Sequence, residues 1–229
     1  MMKRSTVLLL SAALVAGCSS DTVTIGPAAS LTYISGSGQL VPAGVHSTGT
    51  LVVRVADAAG NGVEGDTVYF TSKLGATLGT PMAIANAAGL TSTTYVGGSS
   101  LTTDTVTATV TGIDGSVTFS LTVVAGPPSV LNIVSGNNQS VAVGTASAPL
   151  VVSTTDAFGH GTTGATVTWT AFGGTMSVPS SVIDSTSGMA SAAFTPGSTA
   201  GLDSVEASVT NTGTNPATIV IATFMITAH

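Results

Sequence analysis

Apolar and polar residues alternate with a period of two in one segment after another. Leu51, Val53 and Val55 are interleaved with Val52, Arg54 and Ala56; Val106, Ala108 and Val110 with Thr105, Thr107 and Thr109; Val205, Ala207 and Val209 with Ser204, Glu206 and Ser208. Successive side chains of a strand point to opposite faces, so this pattern predicts strands with one face buried and the other wet. Val68 and Phe70, and later Val167 and Trp169, fall on one face of a strand just after a glycine-rich turn, where a large ring fills the space between two sheets. Segments 116–124 and 217–227 read as closing strands. The second of these is strongly apolar, but Thr218, Thr223 and Thr227 interrupt it, and it is far shorter than the ~20 apolar residues of a membrane span.

The chain also repeats itself at a shift of about 100 residues. Gly26-Pro27 falls on Gly126-Pro127, Ser35-Gly36 on Ser135-Gly136, and Gln39 on Gln139. After one residue of slippage, Asp57 falls on Asp156, and Gly60, Gly62 and Gly65 fall on Gly159, Gly161 and Gly164. Asp104 to Thr111 then matches Asp203 to Thr210. A unit of this length is the size of one β-sandwich. The division expected is residues 27–125 and 126–229, joined at Gly126-Pro127-Pro128, whose prolines favour a short, semi-rigid hinge.

Composition narrows the function. The 229 residues carry four Lys and Arg against ten Asp and Glu, a net charge of −6. Lys3 and Arg4 open the chain, an apolar run from Thr6 to Val15 follows, and Leu14-Val-Ala-Gly-Cys18 brings the single cysteine after small residues. A positive start, an apolar core of about 7 to 15 residues and a small-residue cleavage site make a secretory signal. The sequence around Cys18 resembles the lipobox of bacterial lipoproteins. That resemblance implies removal of residues 1–17, acylation of Cys18 and a tether over 18–26, with the outer membrane or cell surface as the destination. Two or three acyl chains anchor stably where one does not. Without Lys3 and Arg4 the charge becomes −8, and Arg54 and Lys73 are the cations left. Two isolated cations cannot supply the phosphate contacts of nucleic-acid binding, nor dock on anionic lipid. Membrane contact is therefore assigned to the lipid on Cys18. With one cysteine no intrachain disulfide can form, and stability rests on packing.

Two motifs recur in order in both copies. Asp57-Ala-Ala-Gly-Asn-Gly-Val-Glu-Gly-Asp-Thr-Val-Tyr-Phe70 and Asp156-Ala-Phe-Gly-His-Gly-Thr-Thr-Gly-Ala-Thr-Val-Thr-Trp169 are followed by Asn86-Ala-Ala-Gly-Leu-Thr-Ser-Thr and Ser185-Thr-Ser-Gly-Met-Ala-Ser-Ala. They resemble the signature of bacterial Ig-like domains of the invasin and intimin type (group 1). Gly62 and Gly161 depart from it, standing where that family often has proline. The resemblance implies an all-β fold of two tandem Ig-like antiparallel β-sandwiches after a cleaved lipoprotein signal peptide. The chain carries neither the outer-membrane barrel nor the disulfide-bearing lectin-like tip of family adhesins, so what carries over is the sandwich and its use as a spacer or interaction module.

Candidate chemistry is sparse. Asp57, Glu64 and Asp66 place three oxygen ligands in one turn region, a weak calcium candidate. The second copy keeps only Asp156 there, which favours plain turn chemistry and no metal. Asp104 and Asp203 precede equivalent strands and are expected to cap turns. His46, His160 and His229 have no counterparts in the other copy and no metal-ligand spacing. No nucleophile with a tuning partner is evident, so an enzyme is not expected and no cofactor is implied. The reading is a lipid-anchored cell-envelope protein acting as a non-catalytic structural or adhesive module. The alternative is a surface receptor subunit that binds a glycan or protein through distal loops of the second copy, around 171–178 and 197–203. An exposed aromatic cluster near Phe158, Trp169 and Phe172 would favour that alternative.

Overall fold

The computed structural model describes residues 24–214 and 216–229; the signal segment, Cys18 and the start of the tether lie outside the described residues. The first half contains β1 (Ala28–Ser35), β2 (Gln39–Pro42), β3 (Leu51–Asp57), β4 (Thr67–Ser72), β5 (Met82–Ile84), β6 (Leu90–Thr93), β7 (Thr103–Val110) and β8 (Val117–Val124). The second contains β9 (Val130–Ser135), β10 (Gln139–Val141), β11 (Leu150–Thr155), β12 (Gly161–Thr162), β13 (Thr166–Phe172), β14 (Gly174–Met176), β15 (Ser180–Val182), β16 (Met189–Ala192), β17 (Phe194–Pro196), β18 (Gly201–Asn211) and β19 (Thr218–Ala228). No described residue is helical.

Each half pairs only with itself. In the first, a sheet of order β1-β3-β6 faces a five-stranded sheet of order β2-β8-β7-β4-β5. In the second, β9, β12 and β16 gather on β11 and face a sheet of order β10-β19-β18-β13-β15, with β14 and β17 forming an extra ribbon. The fold is the expected all-β Ig-like sandwich, with one difference from the purely antiparallel expectation: β2 runs parallel to β8, and β10 parallel to β19. The cause is a sheet switch. The chain leaves β1 or β9 in one sheet, turns at Gly36 or Gly136, and enters the other sheet as β2 or β10. Both glycines hold positive φ, and a Cβ would press into the carbonyl of Thr50 or Pro149. The following glutamine fastens the switch: Gln39 Nε2 donates to the Gly36 and Gly49 carbonyls, and Gln139 Nε2 to those of Gly136 and Ala148.

Two separate apolar clusters result. Val53, Val55, Val68, Phe70, Val106, Phe119 and Leu121 belong to the first; Val152, Val167, Trp169, Val205, Phe224 and Ile226 belong to the second. The alternation read from sequence sets the inward and outward faces, and the threonines of β7 point outward as expected. Trp169 is buried beside Phe224, with ring centroids 6.0 Å apart, and its indole N–H donates to Ser181 Oγ at 2.8 Å. A buried indole needs such a partner. Replacing Trp169 by Ala empties a large aromatic site and is expected to cost ~3 to 5 kcal/mol. Hydrogen exchange should show the loss of protection across β11 to β19 with β1 to β8 unchanged; equal loss in both halves would contradict separate cores.

Candidate functional site

The repeated chemistry of the chain is a carboxylate at the end of the third strand of each copy. Asp57 is buried at the end of β3. Its Oδ1 accepts the N–H groups of Ala59 and Asn61 at 3.0 and 2.8 Å, and its Oδ2 accepts the Gly26 N–H at 2.9 Å and Asn61 Nδ2 at 3.0 Å. Asp156 repeats this: Oδ1 takes the N–H groups of Phe158 and His160, both at 2.9 Å, and Oδ2 takes the Gly126 N–H and His160 Nδ1, both at 2.9 Å. A turn and the incoming chain are thus tied to one side chain. His160 stands where the first copy has Asn61, so an imidazole replaces an amide in the same clamp.

These donors favour the charged form of the acid. The Gly26 N–H foremost, with Asn61, holds Asp57 down to about 2. At Asp156 desolvation pushes upward, but the donors from Gly126, His160 and Phe158 outweigh it and hold the group at about 2. Asp184 is lowered by the N–H groups of Ser187 and Thr186. Its side chain, one residue before the aligned Ser185, takes the role that Asn86 plays in the first copy, where Oδ1 accepts the Ala88 and Leu90 N–H groups.

The suggested oxygen cluster does not converge on a metal. Asp57 is saturated by turn donors, Glu64 is exposed, and among the described residues no three His, Cys, Asp or Glu are placed to hold an ion. Asp66 Oδ2 is buried without a partner. The histidines are equally dispersed. His160 belongs to the Asp156 clamp. His229 Nδ1 lies 3.1 Å from the exposed Ser140 Oγ, and no carboxylate is bonded to that imidazole among the described residues, so the triad logic lacks its third member.

Asp104 does more than cap a turn. It is fully buried and accepts Ser72 Oγ at 2.6 Å, the Leu74 N–H at 3.1 Å and the hydroxyl of the buried Tyr95 at 3.2 Å. Desolvation first, and then this negative neighbour, push the Tyr95 phenol up to about 12. In the second copy the two side-chain donors are gone, with Ala171 and Phe194 in the places of Ser72 and Tyr95, and Asp203 Oδ2 is buried without a partner. The expectation of a common capping role therefore fails at Asp203, because the donor-bearing residues diverged while the acid stayed. The match of Tyr95 to Phe194 carried that signal in the sequence.

The three aromatics do not form a cluster. Trp169 is core. Phe158 lies at the joint, where a Cβ placed on Gly44 of the first half would come within 3.1 Å of its ring. Phe172 ends β13 at the opposite end of the second sandwich, opposite Ser204. At that distal end the two expected loop regions do meet: Gly197 N–H donates to the Gly173 carbonyl at 2.8 Å, and β14 pairs with β17. At the joint, Gly126 is wedged between the Ala43 carbonyl, 2.6 Å from where a Cβ would lie, and Asp156. A cleft of about 640 Å³ beside it is lined by Pro42, Val45, Pro127, Pro128, Thr166 and Val209, among others, with no titratable side chain.

A depressed acid contributes stability that is complete above its unfolded value and is lost as pH falls through its folded value. Asp156→Asn is therefore expected to destabilise the second sandwich at pH 7, and the gap to the unsubstituted protein to close between about pH 4 and about pH 2. Urea unfolding at stepped pH measures it; a gap independent of pH would contradict the clamp.

No model of a known protein family matches the chain. Among solved structures it is similar to the Escherichia coli adhesin FdeC, at 20% identity and a TM-score of 0.58, over 87% of this chain and 63% of that one. Adhesin InvE of Yersinia pseudotuberculosis is 18% identical with a TM-score of 0.40, over 87% of this chain and 58% of that one. Invasin, described as a bacterial integrin-binding protein, is 24% identical with a TM-score of 0.39, over 83% and 38%. The chain thus spans less than two thirds of the length of each, and at these identities the likeness concerns fold, with the weight resting on the first. The structural neighbours are Ig-like domains of invasin- and intimin-type bacterial adhesins, and this chain has their all-β Ig-like sandwich fold.

Proposed function

We propose that the chain is a non-catalytic structural and adhesive module of a bacterial cell envelope, held to the membrane by a lipid on Cys18. Its two Ig-like domains, 27–125 and 126–229, stand in line and carry a surface away from the membrane. The observation that carries this reading is the duplicated carboxylate clamp. Asp57 binds the start of the first copy at Gly26, and Asp156 binds the start of the second at Gly126. The same device thus seats a tether in one case and a preceding domain in the other, which is how a stackable unit is built. Supporting it, among the described residues Asp57, Asp156 and Asp184 are spent on turns, the histidines are dispersed, and the outward face of β7 is a ladder of threonines rather than a pocket. The likeness in fold to bacterial adhesins fits a cell-surface place and a protein partner.

Acylation of Cys18 tests the anchor. Labelled palmitate is expected to enter the full-length protein in cells and to be absent from Cys18→Ser, which should leave the membrane fraction. Label entering both forms equally, or neither, would contradict the anchor.

A further inference from the structure

The two copies serve as controls for each other on the outer face of the large sheet. In the first, Lys73, just past the end of β4, lies beside Thr105 of β7 and Ser120 of β8, with the next row formed by Thr103 and Thr122, whose hydroxyls are 3.1 Å apart. All five are polar, and Lys73, Thr103 and Ser120 are exposed. In the second copy the same lattice reads Phe172, Ser204 and Met225, then Leu202 and Thr227. Three polar positions have therefore become apolar together. Phe172 is 52% exposed, Leu202 67%, and Met225 is half-buried. Phe172 and Leu202 are diagonal neighbours on one face, within reach of each other across the sheet. The change serves no core, since these side chains point away from it. It sits at the end of the second sandwich remote from the joint.

Charge says what covers it. Residues 126–229 carry no Lys or Arg; Asp156 is buried in the clamp at the joint and Asp184 serves a turn, so the acid on this face is Glu206. Glu206 occupies the next row of the same face, between Thr170 and Thr223. A second copy of this chain would bring like charge to like charge, which is costly at an interface, whereas a basic rim on the partner is favourable and steers the encounter. Apolar centres with a polar rim are the usual anatomy of protein-binding surfaces.

From this we infer that Phe172, Leu202 and Met225 form a docking surface for a partner protein presenting an apolar side chain flanked by lysine or arginine. This rests on the reading of the chain as a surface-presenting module and names the chemistry of its partner. The patch is small, so single contacts are weak and transient.

The probe is the peptide acetyl-Lys-Trp-Lys-amide, titrated into the isotope-labelled chain from residue 19 onward and followed by amide resonances. Saturable shifts are expected at Phe172, Leu202, Ser204, Glu206 and Met225. Affinity should fall about tenfold or more in Phe172→Thr/Leu202→Thr, a substitution on the outer face that keeps the amide spectrum of a folded protein. The converse variant Lys73→Phe/Thr103→Leu/Ser120→Met should gain a second set of shifts on the first sandwich. The lysine-acetylated peptide should bind several-fold more weakly, and added salt should weaken the unmodified one. Shifts that are absent, scattered, or unchanged in the Phe172→Thr/Leu202→Thr variant would overturn the surface. So would equal binding of the acetylated peptide, self-association of the chain through these residues, or shifts at the same residues from cellobiose in place of the peptide. Any of these outcomes with palmitate incorporation at Cys18 intact would remove the docking surface and leave the anchored module standing.

Discussion

The rest of this structure depends on one buried carboxylate per copy, set where the third strand ends. Without a disulfide and with few charges, a sandwich must close its turns with local hydrogen bonds, and buried N–H groups must find partners. Asp57 and Asp156 each accept four donors, two from the turn that follows, one from a side chain in that turn, and one from the glycine where the copy begins. The acid therefore fixes the turn, the entry of the chain and, at Asp156, the contact between the halves. Gly126 is required there because a Cβ would lie 2.6 Å from the Ala43 carbonyl, with the Asp156 side chain 3.4 Å away.

That arrangement explains how two copies of one unit acquire different ends. The clamp end of the second copy is turned toward the first, and Phe158, which replaces Ala59, fills the space over Gly44. At the opposite end the second copy differs in two ways: the hydroxyl donors around Asp104 have no counterparts at Asp203, and three positions of the outer face become apolar. A clamp retained at one end, with the outer face altered at the other, is the pattern of a scaffold whose distal surface has changed while its seating carboxylate has not. Asp203, left with a buried oxygen and no donor, is a local cost of that change.

Much of the fold was legible in the sequence because β alternation has a fixed period and glycine turns recur in both copies. Leu51, Val53 and Val55 face inward as their spacing requires, and Trp169 lies in the core as its match to Phe70 requires. What escaped were features set by chain path rather than pattern. The parallel pairing of β2 with β8 depends on a sheet switch at Gly36, and a period of two does not distinguish parallel from antiparallel neighbours. The apolar patch joins Phe172, Leu202 and Met225 from three strands, and only the register brings them around Ser204 on one face. The Asp104 network was half visible: the acid repeats, but its partners Ser72 and Tyr95 change to Ala171 and Phe194, a paired loss that an account of Asp203 as a simple cap overlooks.

The central claim is that two clamped sandwiches stand in line. Strands of 7 to 11 residues at ~3.3 Å each, with their loops, give roughly 35 to 40 Å per sandwich and on the order of 75 Å for the pair. Small-angle X-ray scattering of the chain from residue 19 onward measures this directly. The account predicts a two-lobed, elongated particle of about that length; a single compact globule would contradict it.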